Sequence, residues 1–143
     1  MVPEWYTLAL AERGVVAHNN PKVLAYYRDA GFEGVEHDSV PWCAAFVGAM
    51  LVRAGVEPSG SLMARSYLKW GHGLKSPKRG CIVVFSRSGS TFLGHVTFFD
   101  KEMLGGASIR CLGGNQSHRV SYATYPKSRV LGYRWPNREQ MHG

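Results

Sequence analysis

The chain has 143 residues, 45% of them apolar and 12% aromatic, which is enough for one domain with a buried core and too apolar for a disordered chain. Seventeen Lys and Arg against ten Asp and Glu give a formal net charge of +7, a balance that favours acidic partners such as nucleic acid, anionic lipid or an anionic cell wall. No apolar run approaches the ~20 residues of a membrane span, and three cysteines, Cys43, Cys81 and Cys111, are too few for a disulfide framework.

The stretch from Met1 to Leu10 carries Glu4 and Trp5 and no basic segment, so it does not read as a secretory signal, and synthesis in the cytoplasm is expected. Trp5, Leu8 and Ala9 predict a short helix that stops near Gly14. Asn19 or Asn20 caps a second helix with Pro21 in its first turn, Val23, Leu24, Tyr26 and Tyr27 on its apolar side, and Gly31 as its stop. The segment from Trp42 to Ala54 is apolar nearly all round, the mark of a buried helix, and Gly55 ends it. A fourth short helix is expected between Ser61 and Trp70.

Beyond Gly71 the composition turns rich in Gly and Ser, and the apolar runs become short and β-branched. Strands are predicted at Cys81 to Ser86, Gly94 to Asp100, Ala107 to Leu112, Arg119 to Tyr122 and Arg129 to Trp135. Turn-rich stretches lie at Arg87 to Thr91 and Lys101 to Gly106. Helices followed by strands define an α+β class, with N-terminal helices packed on a C-terminal antiparallel sheet, and nothing splits residues 1–143 into two domains.

Three segments carry potential chemistry. Cys43 falls at the first turn of the buried helix, just after Pro41, where the positive end of the helix dipole favours a thiolate. The plain alternative is a structural cysteine buried among Trp42, Ala44 and Phe46. His95 follows Gly94 at the start of a strand, and a strand-borne imidazole facing a helix-borne thiol forms a nucleophile–base pair, with Gly94 leaving room for a substrate. Gly113-Gly114-Asn115-Gln116 follows the next strand. Asn115 offers a carbonyl to fix the imidazole tautomer, although the same four residues also read as a tight turn that exploits positive φ.

Pro41-Trp42-Cys43-Ala44-Ala45-Phe46-Val47 resembles the nucleophile helix of NlpC/P60 and CHAP-type cysteine peptidases, and Leu93-Gly94-His95-Val96 resembles their histidine strand. More narrowly, these segments, with Ser61 to Gly71, the LGGNQ stretch and Ser128 to Pro136, are similar to a family of short NlpC/P60-like proteins of bacteriophages and prophages. The resemblance spans about Trp5 to Pro136. It implies a papain-like α+β fold and a peptidoglycan hydrolase, an endolysin-like endopeptidase or amidase. It also implies Cys43 as nucleophile, His95 as base and Asn115 as the polar third member. Many CHAP relatives carry an acidic residue near the GGNQ position and many NlpC/P60 relatives a second His; this chain has neither there.

Trp42, Arg65, Tyr67, Lys69 and Gln116 are candidate substrate contacts, the two cations as attractors of wall carboxylates. No cofactor and no metal are expected: the cysteines and His95 lack paired zinc spacing, and Asp38 stands without the Asp-rich calcium loop of some CHAP relatives. Ser66 and Lys69 match an S-x-x-K pattern without its partner motifs. Cys81 and Cys111 read as core, and His18, His37, His72 and His118 as surface. A monomer acting on the cell wall after release or delivery is expected, with no nucleic acid partner and no membrane insertion. The rival readings are a non-catalytic basic module for nucleic acid or cell wall, and a toxin-like amidase using the same Cys-His site. The bond cut stays open among the muramic acid–L-Ala amide, the γ-D-Glu–diaminopimelate bond and the cross-bridge.

Overall fold

A computed structural model describes residues 1–37, 41–87, 90–91 and 93–141. Asp38 and part of the expected Arg87-to-Thr91 turn lie outside the described residues.

Three helices come first: α1 (Glu4–Ala11), α2 (Pro21–Asp29) and α3 (Cys43–Arg53). Asn20 caps α2 by accepting a hydrogen bond from the Lys22 backbone N–H at 2.9 Å, while Asn19 sits at a left-handed φ of 58°. Every residue from Cys43 to Leu51 is buried, as an all-apolar helix requires. The fourth helix is a short 3-10 segment, Ala64–Lys69. Its buried residues Ala64 and Tyr67, continued by buried Trp70, recur every third position, which matches three residues per turn better than 3.6.

The second half is a six-stranded antiparallel sheet in the order β1-β6-β2-β3-β4-β5, built from β1 (His72–Leu74), β2 (Ile82–Ser86), β3 (Gly94–Met103), β4 (Ser108–Gln116), β5 (Arg119–Pro126) and β6 (Val130–Trp135). The α+β order read from the sequence is the order observed. Three strands outrun their expected ends, β5 by running on to Pro126. β3 continues to Met103, and β4 runs through Gly113-Gly114-Asn115-Gln116 instead of stopping at Leu112. The tight turn falls one step later, at Ser117 and His118, both at positive φ (55° and 60°), which is the backbone a two-residue hairpin demands.

The sheet is strongly curled. Phe85 on β2 and Tyr125 on β5 have ring centroids 4.5 Å apart, although three strand spacings of a flat sheet would separate them by about 14 Å. The curl encloses a small core of Cys81, Val83, Phe85, Phe99, Ile109 and Cys111. The opposite face meets the helices through Ile82, Val84, Val96, Phe98, Leu112 and Val120, joined by Trp42, Phe46 and Tyr26. Alternation along each strand sorts the residues: Val96 and Phe98 face α3, whereas Thr97 and Phe99 face the other way.

Glycine allows the helix to reach the sheet. A Cβ on Gly114 would stand 2.6 Å from the Phe46 Cβ and 2.8 Å from the Trp42 ring. Neither Gly113 nor Gly114 has a positive φ. Their role is the missing side chain, and the left-handed residue of the motif is Asn115, at φ 58°.

One buried charge ties the strands to α1. Asp100, 4% exposed, accepts from Tyr6 Oη at 2.9 Å, Arg79 Nε at 3.0 Å and Arg110 Nε at 2.7 Å. Burial by itself would raise this carboxyl, but the bonds from Arg110, Tyr6 and Arg79 prevail and hold it below the ordinary carboxylate range. A folded-state value below the unfolded one means stability that is present at neutral pH and lost as pH falls through the lowered value.

Two outcomes are expected. Asp100→Ala leaves two arginines without their anion and should cost about 3 kcal/mol in urea unfolding at neutral pH; a loss under 1 kcal/mol would show the network to be dispensable. Gly114→Ala should cost about 1–3 kcal/mol, because backbone-anchored atoms of α3 must retreat.

Candidate active site

Cys43 is the first residue of α3, with Trp42 as the residue before the helix, and the Trp42 carbonyl accepts the Phe46 N–H at 2.9 Å. The N–H groups of Cys43 and Ala44 therefore belong to the first turn, where backbone donors have no partner inside the helix. The thiol takes hydrogen bonds from the backbone at Val96 as well as at Ala44 and Cys43 itself. Val96 is the residue after His95, so the seating of α3 on β3 brings the sulfur to the histidine strand.

The thiol is 6% exposed and opens onto a pocket of about 110 Å³ lined by Pro41, Met63, Arg87, Leu93 and Gly94, among others. Gly94 is compelled by backbone: a Cβ there would lie 2.6 Å from the Phe85 carbonyl and 3.2 Å from the Arg65 Cγ. The room it leaves is taken first by these neighbours.

His95 pairs with Phe85 across β2 and β3, and the two rings lie on the same side, 6.4 Å apart. The imidazole is partly exposed yet densely surrounded. Its Nε2 lies 2.9 Å from the Gln116 Oε1. The Gln116 amide is oriented unambiguously, because its Nε2 donates to the Ser121 carbonyl at 2.6 Å while its Oε1 also accepts from the Tyr125 hydroxyl at 2.9 Å. An amide oxygen so held only accepts. In the neutral ring the proton therefore sits on Nε2 and the lone pair on Nδ1.

The amide that meets the ring is thus Gln116, and not Asn115 as the sequence led us to expect. Period-two alternation would put Asn115 on the side of Cys111 and His95. The register between β4 and β5 shifts between Gly113 and Gln116, and the left-handed Asn115 breaks the alternation, turning Gln116 inward. Gln116, read as a substrate contact, is 4% exposed and spent on internal bonds. Tyr125 lies in none of the motifs that mark the site and reads from sequence only as an aromatic able to stack on bases in the nucleic-acid reading. It approaches His95 only because the sheet curls, bringing their ring centroids to 5.5 Å.

The other expected contacts divide. Trp42 and Tyr67 are each 1% exposed, so neither ring is a contact surface: Trp42 stacks on Tyr26 at 5.9 Å and Tyr67 packs on Trp70 at 5.5 Å. Arg65 and Lys69 both line a separate, larger groove. Cys81 and Cys111 are buried inside the curl, as read, and burial pushes the Cys81 thiol up to about 12.

The electrostatics correct a further expectation. Desolvation pushes the Cys43 thiol above its ordinary value, and the backbone N–H groups and Arg87 only partly offset it. Desolvation also lowers His95, reinforced by Arg87 and Arg129 and opposed by the Gln116 bond. Both directions favour the uncharged forms, a thiol and a neutral imidazole, and not the thiolate that the helix dipole by itself implied.

The CHAP domain family model matches residues 35–115, more than half of the chain, which therefore belongs to the CHAP domain family. Such domains are typically cysteine- and histidine-dependent amidases or peptidases, and the family points in general to peptidoglycan as substrate. Comparison with curated proteins and with solved structures gave no match. Gln116 and Tyr125, the two side chains that fix His95, lie just beyond the matched segment.

The tautomer is checkable without any substrate. Imidazole ¹⁵N spectra above pH 7 should show His95 protonated at Nε2, and Gln116→Leu should scramble that preference. An Nδ1-protonated ring in the unaltered protein would contradict the geometry.

Proposed function

We propose that this chain is a cysteine-dependent peptidoglycan hydrolase that cuts an amide of the stem peptides through a thioester, with Cys43 as nucleophile, His95 as general base and acid, and Gln116 as the residue that orients the ring. The observation that carries this reading is the thiol at the start of α3 seated against Val96, the residue that follows His95, whose own Nε2 is committed to Gln116.

In the proposed reaction Nδ1 of His95 takes the Cys43 proton as the sulfur attacks the amide carbon. The oxyanion is met by backbone N–H groups of the first turn of α3. The C–N bond breaks as His95 returns that proton to the leaving amine. Water, deprotonated by the same nitrogen, then adds to the thioester, and the sulfur leaves to recover its proton. No helix among the described residues is long and apolar enough to span a membrane. Release from the cytoplasm to the wall, as in phage lysis, is the delivery route proposed on the resemblance to phage and prophage proteins.

Cys43→Ala should abolish solubilisation of purified sacculi with an unchanged circular dichroism spectrum; lysis at the unaltered rate would remove the nucleophile assignment. Mass spectrometry of the released fragments identifies the bond. The pH dependence follows from the signs. Activity needs one proton shared by the pair, so it should fall on the acid side only below the ordinary histidine range, as His95 takes a second proton. On the alkaline side it should fall only above the ordinary cysteine value. An acid limb centred above pH 7 would contradict the lowered imidazole.

A further inference from the structure

Beside the Cys43 pocket runs a second, larger hollow of about 680 Å³, a size typical of ligand sites. The two share Met63, which is 51% exposed. The segment from Ser61 to Ser66 separates them, presenting Leu62 and Ala64 to the thiol side and Ser61, Arg65 and Ser66 to the groove.

Three features define what this groove accepts. Its ionisable wall residues are two cations, Arg65 and Lys69, against one carboxylate, Glu57. Among the described residues no carboxylate pairs with either cation. Arg65 donates from Nε to the Leu93 carbonyl at 2.8 Å and from Nη2 to the Ser90 carbonyl at 2.9 Å. These are neutral acceptors that hold the guanidinium in place without cancelling its charge. Lys69 is exposed and close by on the same 3-10 segment.

The second feature is a hydroxyl. Ser59 and Ser66 bond each other at 2.6 Å, and Ser59 Oγ also accepts from the Ser61 N–H at 3.3 Å, so the acceptor capacity left for a peptide N–H is that of Ser66. The third is the lack of a stacking face. A sugar ring is bound best against an exposed aromatic surface, and the aromatic residue of this wall, Trp70, is only 4% exposed, with its Nε1 donating to the Glu57 carbonyl at 2.8 Å. Cationic, hydroxyl-lined and without an aromatic platform, the groove suits an acidic peptide rather than a glycan.

We propose that this groove binds a carboxylate-bearing stretch of the stem peptide next to the scissile amide, with Lys69 as ion partner and the clamped Arg65 adding to the positive field. The proposal rests on the hydrolase reading for the identity of the peptide, but the charge recognition is separable from turnover.

The probe is the peptide L-Ala-γ-D-Glu-diaminopimelate, with the D-Glu α-carboxylate either free or amidated, titrated into full-length Cys43→Ala by calorimetry and followed by amide chemical shifts. The free acid should bind more tightly than the amide. Adding Lys69→Glu should weaken the free acid by about five- to tenfold and the amide, which keeps its diaminopimelate carboxylates, by clearly less. The shifts should centre on Ser59, Ser66 and Lys69. Equal affinity for both forms, or a preference that survives Lys69→Glu, overturns the proposal even if sacculi are lysed normally. An intact, Lys69-dependent preference in a protein that cleaves no wall fragment supports the groove and refutes the hydrolase reading instead.

Discussion

The close approach of α3 to the sheet at Gly114 is the constraint on which the rest of this structure depends. Only a residue without a side chain lets β4 lie under Trp42 and Phe46. That contact sets the depth of the helix start, and with it the position of the Cys43 sulfur against the Val96 N–H. The same seating closes the larger core, in which Trp42, Phe46, Tyr26 and Phe98 stack edge and face. Candidate chemistry and packing are therefore the same contact seen from two sides.

Depth has an electrostatic consequence. A helix terminus stabilises a nearby anion by about 0.3–1 kcal/mol, and up to about 2 kcal/mol in favourable settings. Taking an ion out of water costs several kcal/mol even after relaxation. For a thiol only 6% exposed the second effect wins, so Cys43 is raised despite its place on α3. His95 is lowered by the same desolvation. An amide at position 116 fits this balance: a carboxylate there would pull His95 toward the charged form, whereas a neutral amide fixes the tautomer and adds no charge. The missing acidic residue in the GGNQ stretch and the neutral pair are thus two aspects of one arrangement.

The curl of the sheet supplies the remaining support. Gln116 alone would be a flexible amide. Ser121 anchors its nitrogen and Tyr125 its oxygen, both from β5, which reaches the histidine because the sheet rolls over on itself. Phe85 fills the space between, stacked against His95 and tilted against Tyr125.

Much of this was readable in the residues themselves. Apolar spacing marked the three helices, Asn20 and Pro21 started α2, and the β-branched runs after Gly71 located β2, β3 and β6, because each of these signals is local in the chain. Pro-Trp-Cys and Gly-His-Val likewise marked the two candidate reactive side chains. What the sequence could not fix were the features that depend on parity and distance in space. One left-handed residue, Asn115, decided which side chain of the GGNQ stretch faces His95. The curl of six strands decided that Tyr125 joins it, and burial decided that Trp42 and Tyr67 are core and that Cys43 rests as a thiol. Each of these is set by which atoms surround a group, and that arrangement exists only once helix and sheet have met.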